Sequence, residues 1–125
     1  MIKNVLLIGL GGGAGSIARY FCQRWFADNF QTAFPWGTFV VNIAGCFLIG
    51  ILFAVSERTT LLSPQVRLML ITGLCGGFTT FSTFAFENMN LLHSGDVSYA
   101  LLYTLASVLL GIAAVFAGIG LIKLL

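Results

Sequence analysis

The amino-acid sequence predicts an all-α integral membrane protein with four transmembrane helices. Hydrophobic residues make up 58% of the 125 residues and charged residues only 8%, whereas soluble domains carry roughly 25% charged residues. Four segments are apolar over the length of about 20 residues that crosses a lipid bilayer. The bilayer is therefore the expected environment. A net charge of +2 and the lack of a basic run argue against nucleic acid as a partner.

The four predicted spans form one domain that covers residues 1–125. They are expected at about residues 5–26, 37–56, 68–87 and 97–122. The connections are short and leave no room for a soluble catalytic domain. Lysines and arginines favour the side that carries both termini, but by only four against one or two. This bias is too weak to fix one orientation in the membrane.

Glycines interrupt the third span near its middle. Gly73, Gly76 and Gly77 lie close together, and each glycine weakens a helix by roughly 1 kcal/mol relative to alanine. A break is therefore predicted near Gly76–Thr79. Broken backbone at membrane depth is tolerated where protein or a cavity satisfies it, and the freed carbonyls can hold a cation. The alternative is that the glycines only allow close helix packing.

Hydroxyl groups and phenyl rings alternate directly after these glycines. Phe81 and Phe84 are three residues apart and share one face of a helix. A phenyl ring has a positive edge, so two ring edges that face a pathway would attract a small anion. Thr80, Ser82 and Thr83 accompany the rings and distinguish them from ordinary core or lipid-facing phenylalanines, which are the alternative.

Polar side chains in the other spans extend this candidate pathway. Asn42 has an NH₂ group with two donors, which suits an anion; the alternative is an interhelical hydrogen bond worth about 0.6 kcal/mol. Tyr103 and Ser107 are four residues apart and share a face.

Two charged residues, Arg19 and Glu87, lie near the membrane, where such residues tend to be functional or paired. Arg19 would either attract anions or anchor its helix end, and Glu87 would cap the third span.

Small residues four apart recur in the first and fourth spans. The pairs are Gly9–Gly13, Gly11–Gly15 and Ala114–Gly118. In lipid, this spacing lets helix backbones approach closely, within one chain or between two copies. The first glycine run also matches a dinucleotide-binding fingerprint, but the βαβ unit that this fingerprint requires is absent from the predicted spans.

Three sequence blocks resemble the CrcB/Fluc family of fluoride channels. The blocks are residues 11–20, 37–47 and 73–84, the last followed by Glu87. The resemblance implies an antiparallel, dual-topology homodimer in the bacterial inner membrane, with two pores. It also implies passive electrodiffusion of fluoride out of the cytoplasm, which lowers fluoride toxicity, and no enzymatic activity.

The resemblance assigns roles to residues by position. Backbone carbonyls of Gly76 and Thr79 from both copies would coordinate a structural sodium ion at the dimer centre. Fluoride would meet the ring edges of Phe81 and Phe84 and a donor on Asn42. Tyr103 and Ser107 would lie along a polar track, and Arg19 would lie near a vestibule. Apart from the resemblance, the hydroxyls of Thr80, Ser82 and Thr83 can serve either the pore or the broken backbone. No role is implied for Glu87.

Two other functions compete with an anion channel. A small proton-coupled multidrug exporter also has four short spans, but it needs a membrane-embedded carboxylate, and Glu87 stands only at a span end. A structural membrane subunit would explain the glycines but leaves the hydroxyls and rings of the third span without a purpose. An enzyme is not expected, since one histidine and four acids assemble no catalytic or metal-ligand cluster.

Overall fold

The computed structural model describes residues 1–125 and consists of helices joined by short turns. Four helical segments are long and apolar enough to cross a membrane: Ile2–Asn29, Trp36–Arg58, Pro64–His93 and Val97–Leu124. We call the first two α1 and α2 and the last α6, and the segment Pro64–His93 is the third span. The prediction of an all-α chain with four membrane-length helices is confirmed.

The third span changes helix type along its length. It begins with α3 (Pro64–Arg67), continues as a π-helix over Leu68–Cys75 and passes through the short α4 (Gly76–Phe78). Thr79 and Thr80 then have extended backbone, with φ/ψ of −83°/156° and −150°/118°. The last element, α5, covers Phe81–His93, and the Thr80 hydroxyl caps it by accepting from the Thr83 amide.

Glycines bring α1 and the first half of the third span into backbone contact. A Cβ atom at Gly11 would collide with the carbonyl of Met69, and one at Gly15 would collide with the carbonyl of Leu74. The second glycine pair of α1 differs, because a Cβ at Gly9 or Gly13 would meet nothing within 4 Å. The pair Gly11 and Gly15 therefore packs against the third span, whereas the pair Gly9 and Gly13 contacts no other part of the chain.

Helices α2 and α6 form the other close pair. A Cβ at Gly50 would collide with the backbone of Val115, and one at Gly118 would collide with the carbonyl of Phe47. Only 16 of the 125 residues are buried, and many large apolar side chains are exposed. Such a surface is costly in water and suits hydrocarbon, which agrees with a multi-pass membrane protein.

Candidate functional site

An open-sided groove of about 430 Å³ lies beside the extended residues of the third span. Its walls come from α2, both halves of the third span and α6. Seven residues that the sequence analysis proposed for the site line this groove: Asn42, Gly76, Thr79, Thr80, Phe81, Phe84 and Ser107. The structure thus brings together residues from three spans that are distant in sequence.

Asn42 holds the extended backbone of the third span by two hydrogen bonds. Its Oδ1 accepts from the Thr80 amide at 2.8 Å, and its Nδ2 donates to the Thr80 carbonyl at 3.1 Å. The interhelical hydrogen bond considered from sequence is therefore present, with backbone as its partner. Because an NH₂ group has two hydrogens, one donor of Asn42 is left for a ligand in the groove.

Two carbonyls beside the groove lose the amides that would serve them in a continuous helix. In a continuous helix, the Thr80 amide would donate to the Gly76 carbonyl, and the Thr83 amide would donate to the Thr79 carbonyl. In this chain the Thr80 amide donates to Asn42, and the Thr83 amide donates to the Thr80 hydroxyl at 3.3 Å. The oxygens of Gly76 and Thr79 are therefore suited to accept from another group or to bind a cation.

The two phenyl rings of the site differ in how firmly they are held. The centroids of Phe81 and Phe84 are 5.7 Å apart with an interplanar angle of 40°. Phe84 packs edge-to-face on Tyr103 at 4.9 Å, whereas 79% of Phe81 is exposed. Phe84 is fixed within the chain, and Phe81 projects from its surface.

The hydroxyl groups named from sequence fall into different surroundings. Ser107 lines the groove, and its Oγ is buried without a hydrogen-bond partner. Ser82 is exposed, with its Oγ 3.4 Å from the Thr80 Oγ1, and does not line the groove. Tyr103 is completely buried, and its hydroxyl donates to Glu87 Oε1 at 3.5 Å. The structure therefore places Tyr103 behind Phe84 and not at the groove wall.

A second cavity, also of about 430 Å³, contains a polar group that sequence reasoning missed. Thr38 accepts a hydrogen bond from Gln23 Nε2 at 2.9 Å, and both line this cavity with Thr83 and Glu87. An amide nitrogen can only donate, so Thr38 keeps its own proton to donate, and the neighbouring Glu87 carboxylate is an acceptor for it. The available signal was that Thr38 is four residues before Asn42 and shares its face of α2.

Arg19 contacts the backbone of the third span. Its Nε donates to the Gly77 carbonyl at 3.1 Å, and the Ser16 hydroxyl donates to the same oxygen at 3.4 Å. Neither residue lines the groove. Arg19 is thus positioned at the end of α4, next to the extended residues.

Comparison with known proteins gives one consistent family. The family model described as "CrcB-like protein, Camphor Resistance (CrcB)" matches residues 6–119. A protein of Chlorobaculum tepidum is 50% identical over 99% of this chain and 98% of its own length. One of Leptospira interrogans is 47% identical over 97% and 95%, and one of Flavobacterium psychrophilum is 48% identical over 94% and 95%. All three are named "Fluoride-specific ion channel FluC". The resemblance found in the sequence is confirmed, and the chain belongs to the CrcB family.

Proposed function

We propose that this protein is a fluoride-selective channel of the bacterial inner membrane that lets cytoplasmic fluoride leave by passive electrodiffusion and so lowers its toxicity. The names of relatives that are 47–50% identical over nearly the whole chain support this function. The observation that carries it is the groove in which an amide donor, two phenyl rings and a buried hydroxyl meet. A channel needs no reaction centre, so the protein acts as a transporter and not as an enzyme.

The groove offers fluoride several weak positive contacts and no full charge. The spare hydrogen of Asn42 can donate to an anion. The Ser107 hydroxyl is buried in the groove wall without a partner, and it would donate to an anion after its side chain rotates. The amino-terminal end of α5 adds the positive end of its helix dipole. The edges of Phe81 and Phe84 add a weak attraction and keep water scarce. Several weak contacts allow an ion to enter and also to leave.

Gly76 and Thr79 are the residues that would hold a structural sodium ion. Their carbonyls lack the amide partners of a continuous helix, and oxygen donors suit a hard cation. Bound there, sodium would fix the two halves of the broken third span relative to each other. Two carbonyls are too few to surround such an ion, which supports a site completed by a second copy.

A second, antiparallel copy is the proposed partner. The groove is open on one side, Phe81 is 79% exposed, and Gly9 and Gly13 face no other part of the chain. A second copy would close the groove and use these surfaces. The weak charge bias of the connections supports insertion in both orientations.

Fluoride efflux from proteoliposomes tests the function. Purified protein is reconstituted with potassium fluoride inside, potassium permeability is supplied by valinomycin, and released fluoride is read with an electrode. We expect rapid fluoride release and slow chloride release from matched vesicles loaded with chloride. Release no faster than from empty liposomes, with protein that elutes as a single species, would refute the proposal. Release that requires an opposing proton gradient would instead favour an exporter.

A further inference from the structure

One face of α1 carries both its glycine contact and two donors to a single carbonyl. Gly12, Gly15, Ser16 and Arg19 follow the spacing i, i+3, i+4 and i+7, so they lie on the same side of the helix. A Cβ at Gly15 would meet Phe78 N and Gly77 C. The Arg19 Nε and the Ser16 Oγ both donate to Gly77 O, at 3.1 and 3.4 Å. The close contact of Gly15 with α4 thus places Arg19 beside the carboxyl end of α4.

The Gly77 carbonyl needs a donor from outside its own helix. In a continuous helix it would accept from the Phe81 amide, but the extended backbone of Thr79 and Thr80 moves that amide away. A cation at the carboxyl end of a helix also interacts favourably with the helix dipole. Arg19 supplies both the hydrogen bond and the charge.

We propose that Arg19 is a positioning residue that fixes the break in the third span. By engaging the Gly77 carbonyl, it stabilises the end of α4. This contact also holds in place the neighbouring carbonyls of Gly76 and Thr79, which lie beside the groove without their helical amide partners. This role differs from the attraction of anions that the sequence suggested for Arg19, and the family resemblance implied only that Arg19 lies near a vestibule. The expected effect of Arg19 on sodium binding rests on the proposed function. Its expected effect on the backbone of the third span does not.

Hydrogen–deuterium exchange of the third span tests the backbone role. Arg19→Gln removes the charge and the guanidinium group, and Arg19→Lys keeps the charge and an N–H donor but loses the guanidinium geometry. Arg24→Gln is the matched control, because Arg24 lies on the same helix, is exposed and has its polar contacts with Tyr20 and Asp28, away from the third span. We expect exchange at residues 79–83 to become about tenfold faster in Arg19→Gln, the scale of one charge-assisted hydrogen bond. Arg19→Lys should be intermediate and Arg24→Gln unchanged.

A sodium titration distinguishes a specific effect on sodium binding from a general loss of stability. The sodium concentration for half-maximal thermal stabilisation in detergent should rise about tenfold in Arg19→Gln, since a loose break presents its carbonyls less often. A charge that merely stood near the ion would give the opposite change, because removing it would strengthen sodium binding. Arg24→Gln should leave the midpoint unchanged.

The possible outcomes separate the two proposals. Wild-type exchange in Arg19→Gln, or a lower sodium midpoint, would overturn the role of Arg19. If the wild-type protein showed no stabilisation by sodium, the sodium site would fail and exchange alone would decide about Arg19. If the wild-type protein released no fluoride, the channel function would be refuted, but the exchange and sodium measurements would still test the role of Arg19. Should Arg19→Gln not fold, wild-type exchange in Arg19→Lys would overturn the proposal.

Discussion

The side chain of Asn42 pairs with the backbone of Thr80 through its oxygen and its nitrogen at once. The distances are 2.8 Å from the Thr80 amide and 3.1 Å to the Thr80 carbonyl. One residue of α2 thereby replaces the neighbours that helical backbone would have supplied to Thr80. The same residue keeps one hydrogen directed to other partners. The extended backbone of Thr80 and the proposed recognition of the anion therefore depend on a single amide.

Asn42→Ala should reduce both fluoride flux and stability. The substitution leaves the Thr80 amide and carbonyl unpaired, and each buried unpaired polar group costs about 1–3 kcal/mol. It also removes the amide donor from the groove. We expect fluoride release to fall at least about tenfold, a change of roughly 1.4 kcal/mol in barrier height, and the melting temperature to fall as well.

A control distinguishes this effect from the loss of any asparagine. Asn29→Ala removes an exposed side chain that hydrogen-bonds to the Trp25 carbonyl of its own helix, and it should leave flux unchanged. Asn42→Asp retains the acceptor for the Thr80 amide but loses both donors and adds a negative charge. Its flux should be at least as low as that of Asn42→Ala. Wild-type release in Asn42→Asp would contradict a role for the amide hydrogen.

Phe84→Ile should impair fluoride flux more than stability alone explains. The ring lines the groove and packs on Tyr103, so isoleucine keeps an apolar volume but removes the positive ring edge. We expect a loss of flux of about tenfold, the effect of roughly 1.4 kcal/mol. Phe81→Ile should behave alike in reconstituted protein, since the exposed ring would then face a second copy.

Phe116→Ile is the matched control for both rings. Phe116 lies on α6, is 69% exposed and does not line the groove. Its replacement should change neither fluoride release nor the melting temperature by more than experimental error. Equal flux in Phe84→Ile, Phe81→Ile and Phe116→Ile would show that the rings of Phe81 and Phe84 take no part in fluoride permeation. It would favour the alternative of a structural membrane subunit.

Gly15→Ala should destabilise the protein, because the new methyl group would collide with the Leu74 carbonyl and the Phe78 amide. Overpacking of this kind costs typically about 1–3 kcal/mol. Gly120→Ala is the control, since a Cβ there meets nothing within 4 Å and alanine favours a helix by about 1 kcal/mol. Thermal unfolding followed by circular dichroism should show a lower midpoint for the first variant only. Equal midpoints would contradict the close contact of α1 with the third span.

The sequence predicted the helices and half of the residues that line the groove, but not the hydrogen-bond partners within it. Length and apolar composition are sufficient to recognise spans, because the bilayer imposes both. Partners such as Gln23 and Thr38 depend on how each helix is rotated about its axis. In soluble proteins an apolar stripe indicates that rotation, but a helix in lipid is apolar on nearly all sides. The burial of Tyr103 against Glu87 was therefore beyond a periodicity argument.

Close packing was easier to anticipate than polar contacts. Gly11 and Gly15 were expected to bring backbones together, and they do so within the chain. The same spacing could not tell which of the two glycine pairs of α1 would be used internally. The pair used within the chain lies on the face that also carries Arg19 and Ser16, which bond to Gly77. A small-residue motif predicts that a contact exists, but it does not predict which side of the helix makes the contact.

Ser107→Ala should separate transport from folding. The Ser107 Oγ is buried and has no hydrogen-bond partner, so its removal relieves an unsatisfied polar group that costs about 1–3 kcal/mol. The variant is therefore expected to unfold at the same or a higher temperature than the wild-type protein. Fluoride release should nevertheless fall several-fold, because Ser107 lines the groove and its hydroxyl is a proposed donor to the ion. Ser56→Ala is the control, since the Ser56 hydroxyl bonds to the Leu52 carbonyl of its own helix and should affect neither measurement. A Ser107→Ala protein that is less stable and transports normally would show that the hydroxyl serves packing and not the ion.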